Sequence, residues 1–244
     1  MIILKKQKKI TDLFKYYIEK RMIKILLLGA ISGFPWVIIG SSLTLWLSEE
    51  GLSRSAIGWA GLIFAVYAFN YLWAPLIDRI YIPFLTKKIG HRKSWIFLMQ
   101  TVIIFCLIFW GFAEPSNSLG LVIGIGLVIA ISSSTQDITI DALRIEQIRP
   151  DEKEAMSAGA AMAVVGWWTG YKLGGALSLN LAQQFENLGY ENYWKLAFIG
   201  LGIVIVFFNI GVLFIKEKNF SKKKKNQSIL DKKILSKINN NNFI

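Results

Sequence analysis

Side chains able to do chemistry concentrate in one stretch, residues 132–146, which reads SSSTQDITIDALRIE. The stretch ends a long apolar segment, yet it carries one amide and four charged side chains: Gln136, Asp137, Asp141, Arg144 and Glu146. In a helix, positions i, i+4 and i+7 share one face, so Asp137, Asp141 and Arg144 form a single charged stripe. Such a stripe is costly in a membrane unless it faces protein or a water-filled path. It therefore predicts a face that handles ions or a polar substrate.

The depth of the stripe along its helix divides the roles that we assign. If the helix enters the membrane near Leu119, Asp137 lies about 27 Å further on, close to the opposite boundary. Gln136 and Asp137 are then the deepest polar pair. We predict that Gln136 is a hydrogen-bonding ligand lining a cavity and that Asp137 is a proton-coupling carboxylate or, alternatively, part of a structural ion pair. The remaining charged residues are expected at the interface, as parts of a cytoplasmic gate: Asp141, Arg144 and Glu146.

A second polar group, Lys172, lies near the middle of another apolar segment. A lysine at membrane depth is seldom without a partner or a function. We predict that Lys172 binds an anionic group of a substrate or pairs with Asp137; the alternative is a side chain that snorkels to the interface. Three aromatic residues are expected to line the same path: Trp36, Trp167 and Tyr171. The two tryptophans beside Lys172, Trp167 and Trp168, offer faces on which a sugar ring could stack.

The elements that must position these groups are six apolar segments. The chain has 244 residues, of which 54% are hydrophobic, and a formal net charge of +12. Its basic residues lie in short clusters between apolar runs, which excludes the continuous basic surface of a nucleic-acid-binding protein. Each run has about 20 residues or more, enough to cross a hydrocarbon core of about 30 Å. We therefore predict an all-α membrane protein with six transmembrane helices, at residues 25–47, 56–77, 94–113, 119–143, 155–182 and 194–215.

The charge of the connections predicts the orientation of the bundle. Of the 28 lysine and arginine residues, 25 fall in the two ends and in the second and fourth connections, which share one side. This side is predicted to be cytoplasmic, with both termini on it. Residues 1–24 are expected to form a basic amphipathic helix on the membrane surface, or alternatively a solvated flexible end. Residues 25–215 form the bundle, and residues 216–244 are expected to be a disordered basic tail without a further span.

Several kinds of chemistry are excluded by the residue types present. Cys106 is the single cysteine, so no intrachain disulfide is possible, and we interpret it as a small packing residue. His91, the single histidine, lies in a basic loop, which excludes a histidine-built metal site. No nucleophile lies beside a base, so an intramembrane enzyme is not expected. Neither a metal nor a cofactor is predicted.

Small residues indicate where helices pack closely. Gly29 and Gly33 are four residues apart in the first segment. A stripe with the same period runs along the fifth segment: Gly166, Gly170, Gly174 and Ser178. Both patterns predict close helix–helix approach. Pro35 can kink the first segment; packing alone accounts for it, or else Pro35 and Trp36 shape a central cavity.

The second connection contains a motif. Residues 73–79 read WAPLIDR and residues 90–95 read GHRKSW. This resembles the signature loop between the second and third helices of the major facilitator superfamily, where a glycine and an Asp-Arg pair precede a second glycine with basic residues. Ala74 stands where the first glycine is expected, and residues 81–88 are additional. The resemblance implies a cytoplasmic gate latch in which an aspartate and arginines pair across helix ends: Asp78, Arg79 and Arg92.

The stretch at 132–146 makes the resemblance more specific. Its pattern S-x-T-Q-D-I-x-I-D-A-x-R-I-E resembles the AmpG-type muropeptide permeases, a branch of that superfamily that also includes acetyl-CoA transporters. The sequences WAPLIDR at 73–79, PFL at 83–85 and GYKLGG at 170–175 support it. The resemblance implies proton-coupled import of N-acetylglucosamine–anhydro-N-acetylmuramyl peptides across the bacterial inner membrane, as a step in cell-wall recycling.

The same resemblance implies that the chain corresponds to one half of a transporter. Members of the superfamily carry twelve spans in two six-helix halves, with substrate bound between them. This chain is then an N-terminal half, for which three states are expected: a fragment from an interrupted reading frame, a subunit that pairs with a separately encoded second half, or a homodimer. The alternative functions are a non-transporting fragment and a half-subunit of a transporter for acetyl-CoA or another amphipathic anion. Membrane lipid and a muropeptide-like small molecule are the expected partners, and nucleic acid is not.

Overall fold

Six long helices follow one another in the computed structural model, which describes residues 15–217. They are α1 (Lys20–Glu49), α2 (Arg54–Leu72), α3 (His91–Trp110), α4 (Pro115–Glu146), α5 (Lys153–Asn187) and α6 (Tyr193–Leu213). Two short helices, Ala74–Arg79 and Leu85–Ile89, connect α2 to α3. No strand occurs within residues 15–217, which confirms the all-α prediction. Residues 1–14 of the predicted N-terminal helix and 218–244 of the predicted tail lie outside the described range.

Five of the six helices are long and apolar enough to cross a membrane: α1, α2, α3, α4 and α6. The sixth, α5, contains the predicted span 155–182 and has 35 residues, so its length is also sufficient. All of its buried residues are glycine, alanine or serine, and its glycine and serine residues make it less apolar than the other five helices. The chain is therefore a multi-pass membrane protein, and its least apolar long helix is the one most closely packed on a neighbour.

Helices α1 and α5 touch backbone to backbone along the two predicted small-residue stripes. A Cβ atom added to any of four glycines would fall on a carbonyl oxygen of the facing helix: Gly29, Gly33, Gly166 or Gly170. At the far end of the contact, the Ser42 hydroxyl donates to the Ser178 hydroxyl at 2.8 Å. This confirms the prediction of close packing from both stripes and identifies each as the partner of the other.

Helix α1 is not a regular α-helix throughout. Pro35 lies inside it, and residues Ile38–Ser42 form a π-helical segment shortly afterwards. Proline has no backbone N–H, so the carbonyl four residues earlier, that of Ile31, loses its usual helical partner. Because π-helical turns shift the following residues around the helix axis, the two ends of α1 present different faces to the rest of the bundle.

The remaining helices enclose a core rich in aromatic residues. Trp46 of α1, Trp110 of α3 and Phe198 of α6 meet with ring centroids 5.1–6.0 Å apart. The Glu49 carboxylate, at the end of α1, accepts hydrogen bonds from the Tyr193 hydroxyl at 2.9 Å and the Trp194 indole at 2.6 Å. By contrast, α2 lies mostly on the surface, with large apolar side chains exposed: Trp59, Leu62, Phe69 and Leu72.

Candidate functional site

The predicted charged stripe of α4 lines a cleft of about 390 Å³ between α1, α4 and α5. We call it the charged cleft and define it by Ser32, Asp137, Asp141, Arg144 and Trp167. The Asp137 carboxylate accepts a hydrogen bond from the Ser32 hydroxyl at 2.7 Å. Arg144 contacts the Asp141 carboxylate, with Nη2 to Oδ1 at 2.9 Å. The cleft thus holds two carboxylates and one guanidinium, which suits a polar ligand that itself carries charge.

The structure differs from the sequence interpretation in how it divides this stripe. Depth along the helix separates Asp137, expected in a cavity, from Asp141 and Arg144, expected in a gate. In the structure all three line the same cleft. Asp141 and Arg144 pair with each other in a local i,i+3 contact, and their role in a cytoplasmic gate stays a prediction.

Gln136 does not line the charged cleft but faces α1. Its side chain is fully buried, and its amide nitrogen donates to the Ile31 carbonyl at 3.0 Å. Ile31 is the residue whose carbonyl is left free by Pro35, four positions later. A polar side chain from a neighbouring helix thus satisfies a backbone group that a membrane could not. Its amide oxygen, by contrast, is buried without a hydrogen-bond partner within residues 15–217, and the ligand role of Gln136 stays a prediction.

Lys172 lies apart from the carboxylates of the charged cleft. Its side chain is exposed and lines neither this cleft nor the second one described below. The predicted pairing with Asp137 is not formed, because Asp137 faces α1 and is bonded to Ser32. Binding of an anionic substrate group by Lys172 stays a prediction.

A cluster of aromatic rings borders the charged cleft at Trp167, and it contains the three predicted aromatic residues. We call it the aromatic layer and define it by Trp36, Phe64, Tyr67, Trp167 and Tyr171. The Trp36 ring lies 4.4 Å from the Tyr67 ring, 4.9 Å from Phe64 and 5.6 Å from Trp167, measured between centroids. Trp167 and Tyr171 are stacked, with centroids 5.5 Å apart and planes 8° from parallel. The layer thus joins residues of α1, α2 and α5.

Beyond the aromatic layer lies a second cleft, of about 640 Å³. We call it the hydroxyl cleft and define it by its aromatic and hydroxyl-bearing lining residues: Trp36, Ser41, Thr44, Ser48, Phe64 and Tyr171. None of the residues lining it is charged. The interior face of the bundle therefore has two chemically distinct compartments, one with charges and one with hydroxyl groups and aromatic rings.

Three of the residues predicted to form a cytoplasmic gate do come together. Arg92, at the start of α3, forms an ion pair with Asp78, and its Nε lies 3.9 Å from a Glu146 oxygen. Arg79 is exposed and forms no ion pair within residues 15–217. The latch predicted from the loop motif thus has one arginine at its centre.

Glu217, which follows α6, supports this arginine from a position that the sequence did not suggest. Its carboxylate accepts hydrogen bonds from the backbone N–H groups of Arg92 at 2.8 Å and Lys93 at 3.1 Å. These are free N–H groups of the first turn of α3, where a negative charge is favourable. A single acidic residue beside a basic tail has no local pattern that would reveal this contact.

A second ionic cluster joins the start of α1 to the connection between α4 and α5. Arg21 donates to both carboxylate oxygens of Glu152, at 2.7 and 3.1 Å. The Arg149 backbone N–H donates to Glu152 as well, at 3.1 Å. The hydrogen bonds from Arg21, and then that from Arg149, lower the pKa of Glu152 to about 2. The cluster is therefore charged across the physiological range.

Sequence reasoning missed several residues that build the two clefts. Ser32 precedes Trp36 by four residues, so helical periodicity could have placed both on the face that meets the charged stripe. Tyr67 and Phe64 could not have been found in this way, because α2 carries aromatic residues on several faces. Within residues 15–217, no group of three His, Cys, Asp or Glu side chains is arranged to hold a metal ion.

Comparison with known proteins places this arrangement in a family. The sequence pattern of the Major Facilitator Superfamily matches residues 25–242 of the chain. The chain belongs to this superfamily. Its six helices match the half-transporter architecture expected from the resemblance, and its relatives bear names of transporters, not of enzymes.

Individual relatives in the superfamily are similar over most of this chain. A Rickettsia felis protein named AmpG 4 is 35% identical over 217 residues, which cover 89% of this chain and 50% of the relative. The anhydromuropeptide permease of Escherichia coli strain K12 is 31% identical over 196 residues, covering 80% and 38%. A Rickettsia conorii protein named AmpG 1 is 34% identical over 190 residues, covering 77% and 45%. The chain thus spans about half the length, or less, of these relatives.

Proposed function

We propose that this chain forms the N-terminal half of a proton-coupled permease that imports anhydromuropeptides for peptidoglycan recycling. The observation that carries the proposal is the charged cleft, in which Asp137 is held by Ser32 beside the Asp141–Arg144 pair. A carboxylate facing a membrane cleft is suited to taking up and releasing a proton. The choice of substrate is supported by the names of the relatives, which include AmpG proteins and an anhydromuropeptide permease.

The proposal includes the position of the chain in the cell. The bundle lies in the bacterial inner membrane with both termini in the cytoplasm, supported by the asymmetry of its lysine and arginine residues. Residues 1–24 and 216–244 are cytoplasmic segments that flank the bundle at 25–215. On this side lies the gate cluster of Asp78, Arg92 and Glu146.

A complete transport path requires a second six-helix unit facing the two clefts. We propose that a separately encoded C-terminal half, or a second copy of this chain, supplies it. The polar and charged groups that line the two clefts support this part of the proposal, because such groups are unfavourable in contact with lipid.

The test is uptake of radiolabelled anhydromuropeptide into right-side-out membrane vesicles under an imposed inward proton gradient. The chain is expressed alone and together with a candidate second half, in a host that lacks its own permease. We expect accumulation that a protonophore abolishes and that Asp137→Asn reduces at least tenfold. The matched control is Asp151→Asn, in the connection between α4 and α5, which should transport like the wild type. Absence of uptake under both expression conditions refutes the proposal, and uptake of acetyl-CoA instead would assign a different substrate.

A further inference from the structure

The hydroxyl cleft has a lining that is unusual for a surface inside a membrane protein. Ser41, Thr44 and Ser48 of α1 are exposed and occupy positions i, i+3 and i+7, so their hydroxyl groups follow one face of the helix. Phe64 and Tyr171 border the cleft from α2 and α5. A row of hydroxyl groups opposite aromatic rings is a surface that an acyl chain would not favour.

The local structure of α1 creates this cleft. The hydroxyl row begins at Ser41, inside the π-helical segment Ile38–Ser42, and continues beyond it with Thr44 and Ser48. Gly40 lies in the same segment, and a Cβ atom added there would lie 3.3 Å from the Phe64 ring. The absence of a side chain at Gly40 therefore lets the Phe64 ring lie close to α1. π-Helical turns of this kind occur frequently at functional sites.

The hydroxyl groups retain most of their capacity to bind a ligand. Thr44 donates its proton to the Gly40 carbonyl at 2.6 Å, which leaves its oxygen as an acceptor. Ser41, Ser48 and Tyr171 form no side-chain hydrogen bond with the part of the chain that the structure describes. The cleft thus offers both donors and acceptors, and its volume lies within the range of about 300–1,000 Å³ that is typical of small-molecule sites.

These features select a class of ligand. An anion is disfavoured because no lysine or arginine lines the cleft, and a purely apolar ligand would leave the hydroxyl groups without partners. A pyranose ring satisfies both demands, since its C–H face is apolar and its edge carries hydroxyl groups. We infer that the hydroxyl cleft binds a neutral pyranose ring, with Phe64 and Tyr171 beside its faces and Thr44 as a hydrogen-bonding residue.

The position of the cleft connects this inference with the proposed function, on which the substrate assignment rests. Trp36 lines the hydroxyl cleft and Trp167 lines the charged cleft, and their ring centroids are 5.6 Å apart. One molecule with a sugar at one end and charged groups at the other could occupy both compartments across this contact. The hydroxyl cleft would then select the sugar, and the charged cleft would select the charged part.

The experiment measures binding of a neutral sugar, which requires neither transport nor a second half. The full chain is reconstituted in lipid nanodiscs, and binding of methyl β-N-acetylglucosaminide is followed by saturation-transfer NMR. We expect Thr44→Val to weaken binding roughly three- to tenfold, as for one lost hydrogen bond, and Phe64→Leu to weaken it further. Thr44→Ser, which keeps the hydroxyl group, should restore wild-type affinity. The control is Thr101→Val in α3, whose hydroxyl is bonded to the Phe97 carbonyl.

The outcomes separate this inference from the proposed function. Binding that Thr44→Val weakens and Thr101→Val does not supports the sugar site, even if no muropeptide is transported. No detectable binding of the glycoside to the wild type refutes it, and so does equal affinity in the wild type, Thr44→Val and Phe64→Leu. The rescue by Thr44→Ser distinguishes a lost contact from a misfolded variant.

Discussion

Replacing Gln136 by leucine tests whether the carbonyl freed by Pro35 depends on its hydrogen bond from α4. The variant removes the donor 3.0 Å from the Ile31 oxygen and leaves that oxygen buried without a partner. An unpaired buried polar group costs about 1–3 kcal/mol, and measured side-chain hydrogen bonds between membrane helices reach about 2 kcal/mol. The same change removes Oε1 of Gln136, which is buried without a partner within residues 15–217 and offsets part of this cost. We therefore expect Gln136→Leu to lower the free energy of unfolding by about 1 kcal/mol, the lower end of this range.

Pro35→Ala provides the second arm of a double-mutant cycle. Alanine restores a backbone N–H, which can bond the Ile31 carbonyl within α1, so the loss of Gln136 should then matter less. We expect a coupling energy of about 1 kcal/mol or more between the two positions.

Unfolding in mixed micelles with increasing SDS measures the four proteins of the cycle. Gln183→Leu, at an exposed position of α5, serves as the control for adding an apolar side chain. A coupling energy within about 0.3 kcal/mol of zero would show that the effects of the two residues are independent. In that case the hydrogen bond would not be the reason for a glutamine at this position.

Three further predictions concern the contact between α1 and α5 and the two ionic clusters. Gly170→Ala should destabilise the protein by about 1–3 kcal/mol because its Cβ meets a carbonyl of α1, whereas Gly124→Ala, which meets nothing, should be neutral or stabilising in the same unfolding assay. Arg92→Gln should lower the thermal midpoint more than Arg79→Gln, since Arg92 forms ion pairs and Arg79 forms none within residues 15–217; equal midpoints would contradict this. The pKa of Glu152 lies at about 2 in the folded protein, below its unfolded value, so its stabilising effect is present above the unfolded pKa and is lost as pH falls toward the folded one. The difference in unfolding midpoint between the wild type and Glu152→Gln should therefore be largest near pH 7 and shrink in acid, and a constant difference would count against the ion pair.

Local periodicity was sufficient to predict the faces that the helices present. The spacing of Asp137, Asp141 and Arg144 fixed one stripe, and the structure places all three along one cleft. The glycine stripes likewise predicted close packing, because small residues four apart leave a continuous groove. These features depend only on the geometry of a single helix, which the sequence specifies directly.

Contacts between distant segments could not be predicted in the same way. Gln136 looks like a ligand when α4 is considered alone, and only the position of Pro35 in α1 gives it a structural partner. Lys172 follows Tyr171 directly, yet one residue turns a side chain by about 100° around a helix, away from the aromatic layer. Glu217 reaches α3 because α6 happens to end beside it. In each case the deciding information is the arrangement of one helix relative to another.

The contact between Gln136 and Ile31 also has a consequence for how the protein is made. The two residues are 105 positions apart in the chain, and ribosomes add about 5–20 residues per second. For about 5–20 s after Ile31 is synthesised, its carbonyl therefore has no side chain to meet, and lipid cannot supply a donor. We expect an ordered water or a local adjustment of α1 to satisfy this carbonyl during the interval, and Gln136 to replace it once α4 has arrived. Because of Pro35, the hydrogen bonding of α1 is therefore completed only when α4 has been made.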